Sequence, residues 1–392
     1  MARQANETNK MEGFHGCCKT AVIVDITSAV GSMNTSPYVS FVTWGRNDGY
    51  TPDYLRRVSR ATSCLASQLE RAGVDSEIII VEWNPVPGRP LLLESLSLPR
   101  LLRHVTVRGF IVGQQYHVGH AGSGERGIQV GEAANVGIRR ARGRFITAKA
   151  SDTFFSSDVI AMLAKGGLDP DTMYRVDRHD FRVDDPSIWD LDDDALLARI
   201  ESLPTVRQEW IQQMAYWGLR ELHTNACGDF TLLDASYWHL LRGHPRDETV
   251  LSFDIDSLVM HAAAAYGVKE CCWPASCKVF KPIHGRLNNS RIVPVFQTWQ
   301  QRLDRFLANK VSPASAHVAR TLFDYPRRKM MGVESVVGHS IERNFVQPAS
   351  RWARGELPEP TQPETWGLAG EALEERILCH AEWSEADAGA GA

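Results

Sequence analysis

The chain lacks any apolar run approaching the roughly 18 residues that cross a bilayer. Its opening stretch, Met1 to Lys19, is polar and mixed in charge, without the apolar core of a secretory signal. A cytoplasmic protein with no transmembrane segment is the resulting expectation. Neither sign of charge dominates, since 43 Lys and Arg against 47 Asp and Glu leave a formal net charge of −4. No global field therefore draws nucleic acid or an acidic membrane. No internal repeat is visible. The eight cysteines fall at 17, 18, 64, 227, 271, 272, 277 and 379 and never as Cys-x-x-Cys, which excludes the usual zinc spacings. Reduced thiols are expected in a long cytosolic chain, and Cys227 is read as a packing residue. The glycine- and histidine-rich loop from Gly113 to Glu125 lacks a following Gly-Lys-Ser/Thr, so it is neither a Walker loop nor a dinucleotide fingerprint. His117 and His120 miss the i, i+4 spacing of a helical metal pair.

What is present is an ordinary globular composition over 392 residues, 43% hydrophobic and 23% charged, enough to bury a large core. Val39 to Thr43 is a short β-branched and aromatic run, broken by Trp44-Gly45-Arg46-Asn47-Asp48-Gly49. A helix follows from near Thr51 or Pro52, with Leu55, Val58, Leu65 and Leu69 at helical spacing. Glu77 to Val81 is nearly continuous in apolar residues, the mark of a strand buried on both faces, and it ends in Glu82-Trp83-Asn84-Pro85. A third strand–helix–strand unit leads to Phe145-Ile146-Thr147-Ala148 and then to Asp152. Right-handed crossovers bring these strand ends to one edge of a parallel sheet, the place where open α/β folds bind ligands. The competing reading of Asp152 is a helix N-cap.

Several segments, in order, resemble a GT-A glycosyltransferase of the family 2 type. Val39 to Asn47 is similar to its opening strand and loop, and Ile78 to Asn84 to its second strand. Asn-x-Gly-Ile-Arg-Arg-Ala-x-Gly at Asn135 to Gly143 resembles the helix before its metal-binding acid. His223 to Phe230, with Trp238 and Arg242-Gly243-His244-Pro245, resembles its acceptor-side segment, and Phe253 to Leu258 the segment of its catalytic acid. The likeness spans roughly residues 39 to 290. It implies a GT-A fold: a Rossmann-like α/β mixed sheet of the nucleotide-diphospho-sugar transferase kind, flanked by helices. The implied donor residues are Thr43, Glu82, Trp83, Asn84, Asn135, Arg139, Ser151 and Asp152, with Arg140 an alternative phosphate contact. The implied acceptor residues are Asp229, Trp238 and His244, although core packing is the simpler reading of Trp238. Asp256 is the implied catalytic base, with Asp254 as the alternate.

One departure stands out. The family writes its metal site as Asp-x-Asp, and the first acid here is Ala150. Some relatives use a single acid, and substrate phosphates supply further oxygens to Mn²⁺ or Mg²⁺. A divalent metal on Asp152, completed by His284, is therefore the expectation. The acidic run from Asp184 to Asp194 reads as a solvated loop with a helix cap.

The expected plan is a leader over 1–37, a sheet domain over 38–290, and a helical extension over 291–355. In the extension, Val295, Trp299, Leu303, Phe306 and Leu307 form an amphipathic stripe. Residues 356–392 read as a loose tail, with Leu368 to Cys379 as a candidate helix. The expected function is transfer of a sugar from a nucleotide-sugar donor, a UDP-sugar first, to an unidentified acceptor, metal-assisted and inverting. The alternatives are a sugar- or nucleotide-binding protein that has lost catalysis and a nucleotidyltransferase on a related sheet.

Overall fold

A computed structural model describes residues 36–49, 51–99, 102–120, 127–207, 222–223, 226–245, 255–283 and 347–379. All of them fall within one compact unit, Ser36–Ala392. The strands are β1 (Val39–Gly45), β2 (Ser76–Trp83), β3 (Val105–Val112), β4 (Phe145–Ala148), β5 (Phe154–Phe155) and β6 (Thr172–Arg175). They continue as β7 (Asp177–Phe181), β8 (Thr205–Arg207), β9 (Thr231–Asp234), β10 (Lys269–Cys272), β11 (Lys278–Pro282) and β12 (Glu374–Cys379). The α-helices are α1 (Tyr54–Arg71), α2 (Gln114–His117), α3 (Val130–Arg140), α4 (Ser157–Lys165), α5 (Asp193–Ser202), α6 (Ala235–Leu241), α7 (Ile255–Ala265) and α8 (Gln347–Ala353).

The expected mixed α/β sheet is present, with strand order β10-β6-β9-β4-β1-β2-β3-β12. Its centre, β4-β1-β2-β3, is parallel, and β9 enters antiparallel between β4 and β6. A second sheet runs β5-β11-β7-β8. Every residue of β2 is buried, as its unbroken apolar run requires of a strand covered on both faces. Alternation then splits the core. Ile78 and Ile80 pack with Val58, Leu65 and Leu69 of α1, while Ile79, Val81 and Val42 face α3. Gly137 explains how closely α3 lies on the sheet, because a Cβ there would overlap Val42. No helix of the described residues is long and apolar enough to cross a membrane.

The C-terminal reading needs correction. The segment expected as a loose tail or a helix over Leu368–Cys379 forms a 3₁₀ turn, Trp366–Leu368, and then strand β12. Positive φ at Gly367 and Leu368 breaks any helix there. Arg140 donates to the carbonyls of Gly367 and Leu368, and the Arg139 guanidinium lies 4.9 Å from the Trp366 ring centre. The chain is thereby led to the open edge of β3, which β12 covers antiparallel. Of the expected helical extension, α8 is described; Val295, Trp299, Leu303, Phe306 and Leu307 lie outside the described residues.

Candidate active site

The carboxyl ends of β4, β1 and β2 lie side by side, with Ala148 opposite Val42 and Thr43 opposite Ile80. Beyond β4 the chain runs through Lys149, Ala150 and Ser151 to Asp152. Asp152 does not cap α4, whose N-cap is Ser156. It is 4% exposed, and Arg57 of α1 donates to its Oδ2 through Nε at 3.2 Å. The rest of that guanidinium holds the Pro52 carbonyl and Thr51 Oγ1. Ser151 Oγ lies 3.0 Å from the Tyr54 hydroxyl.

A second buried carboxylate joins this group. Asp229 accepts from Arg178 Nη1 at 2.7 Å, Lys281 Nζ at 3.0 Å and Thr153 Oγ1 at 3.2 Å. Burial pushes its pKa up, but the two cations outweigh burial and hold it at about 2. Lys149 is buried beside both acids. Desolvation brings its pKa down to about 8, and Asp152 and Asp229 limit the fall. Arg178 also pairs with Asp180 at 2.9 Å. Four cations, Arg57, Lys149, Arg178 and Lys281, are thus coupled to three carboxylates, Asp152, Asp180 and Asp229.

On the other flank of β4 lies a pocket of about 570 Å³, including its mouth. Trp44, Val130, Ala134, Ala148, Trp238 and Val259 supply apolar walls, and His244 and Asp256 supply polar ones. Asp256 sits in the first turn of α7, where its Oδ1 accepts the Ser257 amide at 2.9 Å. Gly228 leaves room for this carboxylate, since a Cβ there would stand 2.5 Å from Oδ2. His244 is fixed in place: Asn135 Oδ1 accepts its amide at 2.6 Å and Asn135 Nδ2 donates to its carbonyl at 3.0 Å. Its ring meets Trp238 edge-on at 5.2 Å. Burial lowers the His244 pKa, opposed by Asp256 and by a hydrogen bond to the Ile255 backbone. Its Nδ1 is buried with no hydrogen-bond partner. The Cys227 thiol, raised well above its ordinary pKa by burial and then by Asp256, is no nucleophile and packs as expected.

Successive residues serve the two flanks. Ala148 faces the pocket and Lys149 the charged group; Gly228 and Asp229 divide in the same way.

The expected site residues therefore separate. Trp238, His244 and Asp256 converge on the pocket, and Trp238 also anchors the sheet by donating to the Ile146 carbonyl at 3.0 Å. Ser151, Asp152 and Asp229 converge in the charged group, so Asp229 is placed away from the pocket walls. Glu82 is fully buried and accepts the Leu92 and Leu93 amides at 2.6 and 3.1 Å, holding the loop after β2. Trp83, expected as a pocket wall, is fully buried and donates to His117 Nδ1 at 3.0 Å. Asn84 turns the chain in the left-handed region and donates to the Gly127 carbonyl. Thr43 is buried on the sheet face opposite Trp44, with Oγ1 unpartnered. Asn135 and Arg139 hold protein rather than open space. Asp254 and His284 lie outside the described residues. Trp44, Arg57, Lys149, Arg178 and Lys281 were not foreseen. Lys149 had a usable signal: a lysine between a buried strand and an acid has nowhere to go but the interior.

The resemblance implies a divalent metal. Among the described residues no group of three or more His, Cys, Asp or Glu side chains converges as ligands. Asp152 is the one expected ligand described, and its carboxylate already bonds a guanidinium with a buried ammonium close by. A hard cation wants oxygens free of such competitors. The described residues do not fit it.

No protein-family model matches the chain, and no curated protein matches it significantly. Among solved structures it is similar to the mannosyltransferase PcManGT from Pyrobaculum calidifontis, in complex with GDP-Man and Mn²⁺. That match has 14% identity and a TM-score of 0.33, covering 82% of this chain and 74% of that one. It is also similar to S. aureus TarS 1-349, at 11% identity and TM-score 0.38 over 80% of each chain. The complex of TarS 1-349 with UDP-GlcNAc matches at 10% identity and TM-score 0.34, covering 71% of this chain and 69% of that one. PcManGT is a mannosyltransferase by name; at identities of 10 to 14% and TM-scores of 0.33 to 0.38 these structures assign no activity or ligand to this chain.

Proposed function

We propose that the chain is a glycosyltransferase that moves a sugar from a nucleotide-sugar donor, a UDP-sugar first, to an acceptor nucleophile with inversion. One observation carries the reading. A single strand end, β4, separates a charged group that includes Asp152 from a pocket bearing the Asp256 carboxylate. The ordered run of family-like segments supports it. In the reaction the acceptor's lone pair attacks the anomeric carbon, the bond from that carbon to the diphosphate oxygen breaks, and the acceptor's proton passes to Asp256. The nucleoside diphosphate departs with the electron pair. Charge neutralisation at the leaving group falls to Lys281 and Arg178, each 23% exposed at the side chain. No metal step is part of this reading.

Ala150 and the Arg57–Asp152 pair favour a second reading, a donor-binding protein without turnover. A panel of UDP-, GDP-, CDP- and dTDP-sugars separates the two. The expected outcome is selective thermal stabilisation by one nucleotide together with release of the free nucleoside diphosphate. Stabilisation without release leaves the binding protein; neither effect removes both readings.

A further inference from the structure

The buried acid beyond β4 is tied to the start of α1 twice over. Arg57, in the first turn of that helix, donates to Asp152 Oδ2 through Nε at 3.2 Å, and Ser151 Oγ meets the Tyr54 hydroxyl at 3.0 Å. The Arg57 guanidinium is also held from sides other than the acid. Its Nη2 donates to Thr51 Oγ1 at 2.7 Å and its Nη1 to the Pro52 carbonyl, and its Cζ stands 5.9 Å from the Tyr54 ring centre. Arg57 and Asp152 are each 4% exposed. An ion replacing Arg57 at Asp152 would have to drive a buried cation from its place and leave the Thr51 and Pro52 oxygens without that donor. Binding through Oδ1 instead would set a divalent charge across one carboxylate from the guanidinium, in the field of the buried Lys149 ammonium as well. Residue 150, where the family that the chain resembles writes its first acid, is an alanine and offers no charge to offset that repulsion.

We propose that Arg57 is a resident counter-cation: as part of the chain, it holds the place at Asp152 that the resemblance gives to a divalent ion, and the donor site works without metal. The inference rests on reading this strand end as the donor site. It divides between residues two tasks that one ion would combine. Arg57 neutralises the buried carboxylate, while the leaving diphosphate is met by Lys281 and Arg178, whose side chains reach solvent. A guanidinium keeps its charge at any working pH. Because it is covalently part of α1, it cannot depart with the nucleoside diphosphate, so the charge beside Asp152 is the same before and after turnover.

Titration of the full chain with Mn²⁺ alone tests this, the bound ion being read from the loss of its free paramagnetic resonance signal. Wild type and Asp152→Asn are expected to bind Mn²⁺ alike, within about twofold. Arg57→Gln, which removes the charge and uncovers the acid, is expected to bind it about tenfold or more tightly, and adding Asp152→Asn is expected to abolish that gain. A thermal melt checks the fold of Arg57→Gln. If it does not fold, Ala150→Asp carries the test: it restores the second acid but keeps Arg57, so its gain in Mn²⁺ affinity is expected to stay below about tenfold. Mn²⁺ binding by the wild type that Asp152→Asn abolishes overturns the proposal. So does a folded Arg57→Gln with a smaller gain than stated, or a larger one in Ala150→Asp. Nucleoside diphosphate release from the sugar-donor panel is measured in parallel. Its absence with the Mn²⁺ results as expected would sink the transferase reading and leave Arg57 in the ion's place. Release by a wild type that holds Mn²⁺ on Asp152 would overturn the role of Arg57 alone.

Discussion

On one flank of β4, Asp152 and Asp229 are held in ion pairs by Arg57, Arg178 and Lys281, and the buried Lys149 donates to the Ala150 carbonyl within the field of both acids. On the other, Trp44, Ala148 and Val259 face a cavity whose His244 Nδ1 has no hydrogen-bond partner. The same backbone supplies both, one residue to each side. The contrast separates two meanings of a buried acid. Asp229 is bonded from three directions and holds geometry, whereas Asp256 faces space that a substrate can enter. Buried ionisable groups are alike in sequence and differ in whether their bonding is complete.

The largest expected effect tests the open flank. Asp256→Asn keeps the side chain's shape and removes its ability to take a proton, so turnover falls by a factor on the order of 10² or more. Donor affinity by calorimetry stays within about twofold. Full turnover in the purified variant would remove Asp256 as the base.

The closed flank is broken by Asp229→Asn, which strips Arg178 and Lys281 of their shared carboxylate. Loss of one partner of a buried ion pair costs about 3–5 kcal/mol, and the lower end applies because both cations keep part of their side chains in water. Denaturant unfolding measures this directly. The variant also changes the acid limb. Because folding depresses the Asp229 pKa from 3.8 to about 2, its stabilisation is complete above 3.8 and is lost as the pH falls through 2. The wild type loses on the order of 2 kcal/mol across that window, and the variant lacks this component. Superimposable acid limbs would show that Asp229 is not held as described.

The smallest effect sharpens the comparison. If the four cations of the charged flank stand where a metal was expected, EDTA changes donor turnover by less than about twofold. A loss restored by Mn²⁺ would show that Asp152 exchanges Arg57 for an ion.

Three strands of the parallel core, β1, β2 and β4, were legible because each announces itself locally, whereas β3 was given no bounds. The apolar run of β2 and the small-residue helix α3 need no knowledge of distant partners to be read. Trp238, His244 and Asp256, which the structure brings to one pocket, were singled out through ordered family-like segments. The rest depends on long-range pairing. Arg57 reads as an ordinary helix charge until its distance to Asp152, 95 positions on, is known. Glu82 and Trp83 ended a strand as donor-site residues do, yet the loop after β2 and His117 had already claimed them. The C-terminal strand escaped notice for the same reason: its amphipathic signal is weak, and its partner lies far back in the chain.

That strand has a consequence for how the molecule is made. Glu375 of β12 pairs with Arg108 of β3, a separation of 267 positions. During synthesis the edge of β3 therefore stands open while more than two hundred further residues emerge, offering unpaired amides and carbonyls to any neighbouring nascent chain. Closing so large a loop late also places β12 among the slow contacts of folding. The terminal strand acts as a latch: only a chain translated through residue 379 can close its own sheet.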